Sequence, residues 1–322
     1  MIYTVTLNPS LDLYIHEGDY TYGGTGRIDE EELRAGGKGI NVSLVLKNLG
    51  HKSVALGFTA GFTGDEIERQ LSAAGLDTDF IKAADGNSRV NIKFLDHEGS
   101  ELNASGPKPD EYSINALLEK IALLDDGDVL ILSGSLPCGV DPGLYGRILE
   151  VTKRKSIFTA LDTSGEALRT SLKSKPYFIK PNISEAALIC GIDIPELKHH
   201  MSLEDIKILH SCALTLKKSG AGNVLISCGG AGAFFLSEDY SAYYADAPEG
   251  IAVNTVGAGD SMTAAFAASR IEGHTLCDSF KFAVAAGSAC AFKEGFPSGE
   301  EIRAMMGRVK LIDIFGRDMA GK

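Results

Sequence analysis

The chain has 322 residues, 44% hydrophobic and 23% charged, with 31 Lys and Arg against 43 Asp and Glu for a formal net charge of −12. That balance, with no cluster of basic residues, excludes a general binder of nucleic-acid backbones, which needs a cationic stripe. No apolar run reaches the roughly 20 residues that span a bilayer, because Asp260 interrupts the best stretch at 252–269. The N-terminus lacks a leader pattern, so a cytoplasmic protein is expected. Six cysteines lie far apart with no CxxC and no histidine at zinc-finger spacing, which predicts free, mostly buried thiols.

Residues 2–7 are β-branched and apolar before the turn residues Asn8 and Pro9, the pattern of a short buried strand. Residues 40–49 carry apolar side chains near helical spacing and stop at Gly50. A strand is expected at 54–58, then a helix to Ala74 opened by a capping box of Thr63 and Glu66. Residues 128–133, 157–162, 177–180 and 224–227 read as central strands separated by helix-length amphipathic stretches. Such alternation predicts an α/β fold, a parallel sheet covered by helices on both faces. Two Ala-rich helices follow, at about 258–272 and 275–292. Segments 11–35 and 88–104 break the rhythm, the second reading as paired strands around His97-Glu98-Gly99. They are expected to form one small sheet, a lid on a single domain spanning 1–322.

Four glycine-rich or polar junctions carry the chemistry. In Gly257-Ala258-Gly259-Asp260, small residues lead into a helix whose first amides can hold an anion. Asp260 there serves either as a general base for a hydroxyl attacking a phosphoryl group or as a helix-start cap. Gly36-Gly37-Lys38-Gly39-Ile40-Asn41 also enters a helix but is no Walker A loop, since Gly39 stands where Ser or Thr is required. Lys38 and Asn41 suit a polar, partly anionic small molecule, or the lysine is simply exposed in a turn. Asn182 and Glu185 share a helix face and either orient water around Mg²⁺ or form a capping box. Ser227-Cys228-Gly229-Gly230-Ala231-Gly232 lets a backbone approach a nucleotide phosphate or makes a tight hairpin. Two rivals fit poorly. No GxGxxG occurs, and Gly259-Asp260-Ser261 lacks the late DxxH of GDS hydrolases.

Taken in order, TLNPSLD (6–12), GGKGINV (36–42), SGSLP (133–137), PNISEA (181–186) and NTVGAGDS (254–261) resemble the ribokinase-like PfkB carbohydrate kinases over essentially the whole chain. NPSLD, SRVNIKF (88–94) and NASGP (103–107) look most like the branch acting on sugar phosphates. The resemblance implies a three-layer αβα ribokinase-like fold with a mostly parallel sheet and a β lid. It also implies ATP-dependent phosphorylation of fructose 1-phosphate to fructose 1,6-bisphosphate, with tagatose 6-phosphate and fructose 6-phosphate as alternative acceptors. Asp260 matches the family's base, and Gly257, Ala258 and Gly259 its anion hole. Asn182 and Glu185 match the motif associated with Mg²⁺ and phosphate, with Glu185 reaching the metal through water. Asp12, Gly37 and Asn41 match positions that hold sugar hydroxyls. Lys38 and Arg89 are candidates for the substrate's own phosphate, with Asn103 as a further lid candidate. Ser227, Gly230 and Gly232 match the nucleotide side, where the family commonly has Leu-Gly and this chain has Cys228-Gly229. A homodimer through the lid fits the family pattern. A sugar-phosphate sensor without turnover is the reading from another class, and the intact base motif argues against it.

Overall fold

The computed structural model describes residues 1–16, 23–25, 28, 30–95, 100–192 and 201–315. Parts of the first lid segment (17–22, 26–27 and 29) and the turn His97-Glu98-Gly99 lie outside the described residues. Strand β1 (Ile2–Thr6) leads to β2 (Ser10–Ile15), β3 (Glu31–Gly36), α1 (Lys38–Asn48), β4 (Ser53–Thr59), α2 (Gly61–Ala73), β5 (Asp77–Thr78), β6 (Ile81–Lys82), β7 (Arg89–Phe94) and β8 (Glu101–Leu102). The alternation continues through α3 (Glu111–Ala122), β9 (Val129–Ser133), α4 (Leu144–Thr152), β10 (Phe158–Asp162), α5 (Gly165–Ser171), β11 (Phe178–Ile179), α6 (Ile183–Cys190), α7 (Leu203–Lys218) and β12 (Asn223–Ser227). It closes with β13 (Ala233–Leu236), β14 (Ala242–Ala245), α8 (Ala258–Ile271), α9 (Leu276–Ala291), α10 (Gly299–Met306) and β15 (Leu311–Asp313).

The main sheet runs β15-β14-β13-β12-β11-β10-β9-β1-β4-β5, with β6 also pairing β4. It is parallel from β5 to β12 and antiparallel from β12 to β15. A strand buried on both faces sends alternate side chains to opposite layers. Leu130 and Leu132 of β9 pack with α3, α4, α5 and α7, whereas Val129 and Ile131 pack with α1, α8, α9 and α10. The expected helix–sheet–helix sandwich is therefore what the apolar pattern builds. Phe178 of β11 stacks on Phe266 of α8 at 4.0 Å between centroids and 10° between planes, which locks that helix over the sheet.

The small sheet has the order β3-β2-β7-β8, with β2 and β7 parallel and the outer pairs antiparallel. Leu11 and the α2 residues Ile67 and Leu71 form a minor core that attaches it to the body.

The expected Thr63–Glu66 capping box does not form. Helix α2 starts at Gly61 with Ala60 as its cap, three residues early, while Thr63 Oγ1 donates to the carbonyl of Ser88 at 2.8 Å and Glu66 pairs with Arg69 at 2.6 Å. Among the described residues no helix is long and apolar enough to cross a membrane, and all six cysteines are free, with Cys138 exposed.

Gly57 of β4 sits at φ +143°, and a Cβ added there would lie 1.9 Å from the carbonyl oxygen of Thr6 in β1. Gly57→Ala should therefore push apart the two central strands and cost about 2 kcal/mol or more. Urea unfolding checks this, and an unchanged midpoint would refute it.

Candidate active site at the carboxyl ends of the strands

Open α/β sheets bind ligands beyond the carboxyl ends of their strands, and here the ends of β10, β11 and β12 come together near the first turn of α8. Gly257 caps that helix at φ +81°, where a Cβ would stand 2.5 Å from the Phe296 ring, so the turn needs glycine. Asp260 is the third residue of the turn, yet it makes no capping bond. The helix-start reading of Asp260 fails. Instead its carboxylate points inward, only 5% exposed, and Oδ2 accepts from Asn41 Nδ2 at 2.7 Å. Burial pushes the Asp260 carboxyl up to about 6, and the nearby Asp162 charge adds to the effect, while Lys38, the Asn41 bond and Lys180 oppose it.

Asp162 ends β10 with no exposed surface. Its Oδ1 accepts from Lys38 Nζ at 3.1 Å, and its Oδ2 from Thr263 Oγ1 at 3.2 Å and Lys180 Nζ at 3.3 Å. Burial acts to raise its pKa, but Lys180 and Lys38 outweigh it and hold the carboxyl below the ordinary Asp range. Asp162 in turn holds Lys38 above the usual lysine value, against its burial. The Lys180 ammonium abuts the small-residue turn: a Cβ on Gly259 would lie 3.0 Å from Nζ.

Two cavities meet at this network. The larger, about 730 Å³, is lined by the polar groups Lys38, Lys180, Asn182 and Glu185, by Gly259, and by apolar residues such as Pro248, Val284 and Phe292. Such a mixed lining suits a ligand with phosphates and a flat base. The smaller, about 300 Å³, is lined by Asp12, Arg34, Gly36, Asn41 and Asn254 among others. Asn41 lines the smaller cavity and bonds to Asp260, while Gly259 lines the larger. Asp260 itself lines neither cavity; it is tied to the smaller through Asn41 and follows Gly259 of the larger.

Of the residues expected from sequence, Asn182, Glu185, Ser227, Gly230, Gly232, Ala258 and Gly259 line the larger cavity, and Asp12 and Asn41 the smaller. Gly37 is the cap of α1, packed against Thr6. Lys38, expected to meet the substrate's own phosphate, bonds to Asp162 and lines the larger cavity. Asn182 and Glu185 do form the capping box, each bond 2.8 Å, while Glu185 still lines the cavity. The glycine-rich segment after β12 is a tight turn closed by Cys228 N–H to the Gly232 carbonyl at 2.8 Å, and it also borders the cavity. Arg89, half-buried on the lid, donates Nε to the Asn8 carbonyl at 3.1 Å. Burial lowers its pKa. Asn103 is exposed, donates to Glu101 at 2.7 Å and lines neither cavity. Sequence reading missed Asp162, Lys180 and Thr263. Asp162 and Lys180 were charged residues closing apolar strands, a signal available from the strand-end rule.

A family model described as pfkB family carbohydrate kinase matches residues 6–302. The chain is 36% identical over 311 residues to a 1-phosphofructokinase of Bacillus subtilis (strain 168), covering 97% of this chain and 99% of that protein. It is also 36% identical over 295 residues to a D-tagatose-1-phosphate kinase of Bacillus licheniformis, covering 92% and 94%. Its fold superposes on the crystal structure of phosphofructokinase-2 from Escherichia coli in complex with fructose-6-phosphate with a TM-score of 0.83, at 26% identity and covering 95% and 98% of the two chains. With a ribokinase-like sheet, a small β lid and a family match that reaches from β1 into α10, the chain belongs to the pfkB family of carbohydrate kinases and is a phosphosugar kinase.

Proposed function

We propose that the protein transfers the terminal phosphoryl group of ATP to fructose 1-phosphate, giving fructose 1,6-bisphosphate, with Asp260 as general base. The observation that carries this reading is the buried Asp260, bonded to Asn41 of the smaller cavity and next in the chain to Gly259 of the larger. The name of the Bacillus subtilis relative supports the acceptor. The D-tagatose-1-phosphate kinase, equally identical, supports tagatose 1-phosphate as the second reading.

In this mechanism Asp260 takes the proton of the attacking hydroxyl, and the carboxylate's raised affinity for protons suits it to that step. The first amides of α8, with Lys38 and Lys180, stabilise charge on the transferred group. The larger cavity takes ATP with its phosphates toward these groups and its base toward Val284 and Phe292. Asp12 and Asn41 hold acceptor hydroxyls, and Arg89 on the lid meets the acceptor's phosphate. Among the described residues no three His, Cys, Asp or Glu cluster to cage a metal. Glu185, one carboxylate beside the phosphate end, fits a Mg²⁺ held largely by nucleotide oxygens and water, and that ion would supply charge neutralisation. The reading places the enzyme in the cytoplasm, where both substrates are available.

The lid supports a homodimer. On β2, Asp12 faces the site, so Leu13 faces away. Leu13 aligns with Leu33 on one side and Ile92 on the other, and Ile92 with Leu102, a row of apolar side chains across four strands. Leu33 is 41% and Leu102 59% exposed, and a second copy would cover this row.

Four acceptors, fructose 1-phosphate, tagatose 1-phosphate, fructose 6-phosphate and tagatose 6-phosphate, tested with ATP and Mg²⁺, should give the highest kcat/KM with fructose 1-phosphate; another winner displaces it. Asp260→Asn should lower turnover by about 10²- to 10⁴-fold, and near-normal turnover would remove Asp260 as base. In the wild type, kcat should fall as the pH drops through about 6, because the protonated Asp260 accepts no proton. The same shift bears on stability. Raised from 3.8 to about 6, the carboxyl binds its proton more tightly when folded, so its stabilising contribution is present at low pH and lost as the pH rises through 6. Calorimetry at pH 8 should therefore show a higher Tm for Asp260→Asn than for the wild type. Light scattering should show a dimer at micromolar concentration that Leu102→Lys converts to monomers; a monomeric wild type refutes the lid interface.

A further inference from the structure

Asp162 has no exposed surface, yet it collects three donors from three parts of the chain: Lys38 on α1, Lys180 after β11 and Thr263 on α8. Its two lysine partners line the larger cavity. A buried ion cluster is an expensive way to hold a fold, since desolvation offsets much of the attraction and apolar replacements are often as stable. The arrangement makes sense if the place of the two ammonium groups matters. Thr263 is three residues, about one turn, beyond Asp260 on α8.

We propose that Asp162 is a positioning residue, which fixes the Lys38 and Lys180 ammonium groups where the transferred phosphoryl group arrives and ties them through Thr263 to the helix that carries Asp260. The proposal rests on the reading of Asp260 as base. The charged and titratable groups that act on Asp260 are Asp162 of β10, Lys38 of α1 and Lys180 beyond β11, with Cys290 of α9 coupled to it more weakly.

The test uses the full chain in two variants, Asp162→Asn and Lys180→Met. Steady-state kinetics give kcat and KM, and ¹³C NMR of substrate-free protein labelled at the Asp carboxyl carbons gives the titration of Asp260, identified as the resonance missing in Asp260→Asn. Removing the Asp162 charge leaves two ammonium groups beside Asp260, so its titration should move down by about one pH unit, whereas removing Lys180 should move it up by about as much. Asp162→Asn should lower kcat about 10²-fold, the scale of a lost charge-stabilising donor. KM for ATP should stay within about threefold, because both positive charges remain. A purely architectural Asp162 would instead raise both KM values, or leave kcat and the Asp260 titration near wild type, and either result overturns the proposal. If Asp162→Asn does not fold, Lys180→Met decides: a titration of Asp260 that is unchanged or lowered refutes the network. Failure of the base reading is separate, since it would show as retained turnover in Asp260→Asn.

Discussion

Two carboxylates and two ammonium groups are held close together at the ends of β10 and β11 beneath α8, and much of the architecture serves to keep them there. Charges removed from water are tolerated only when paired and hydrogen-bonded. Asp162 meets that condition with Lys38, Lys180 and Thr263, and Asp260 meets it only partly through Asn41, which is why its carboxyl favours the proton. The stack of Phe178 on Phe266 belongs to the same design. It presses α8 onto β11, the strand that delivers Lys180, and so sets the helix turn against the ammonium group.

The strongly acidic composition is compatible with anionic ligands because potential is a local property. The larger cavity is lined by Lys38, Lys180 and the first residues of α8, with Glu185 and Glu249 as its acidic side chains. Elsewhere the excess of Asp and Glu is spread over the surface, much of it in short-range pairs such as Glu66 with Arg69 and Glu150 with Lys153. Such exposed pairs contribute little to stability.

The lid shows how one periodicity serves two purposes. Alternation along β2 and β7 sends Asp12, Arg89 and Asn91 to one face and Leu13, Val90 and Ile92 to the other. Asn91 Nδ2 at 2.7 Å and Ser10 Oγ at 2.8 Å both donate to Asp12 Oδ1, which orients the carboxylate. The polar face closes the smaller cavity, and the apolar face beyond Leu11 is left without cover in a single chain.

By itself the sequence determined the α/β alternation, the lid strands, and the glycine turns at Gly37 and Gly257, because each depends on neighbours a few residues apart. Its motifs also brought out Asp260, Asn41 and the Asn182–Glu185 pair as residues of interest. Local pattern could not decide between cap and base for Asp260, nor between cap and ligand for Glu185. Only the tertiary structure bears on these: Asp260 turns inward to Asn41, 219 positions away, whereas Glu185 closes the capping box of α6 and also lines the larger cavity. Asp162 and Lys180 escaped notice for the same reason. Each reads as the last residue of a buried strand, and their meaning arises from Lys38, 124 positions from Asp162, and from the turn of α8 packed above them. Charge stabilisation acts across space between elements that the sheet brings together, and spacing along the chain carries no record of it.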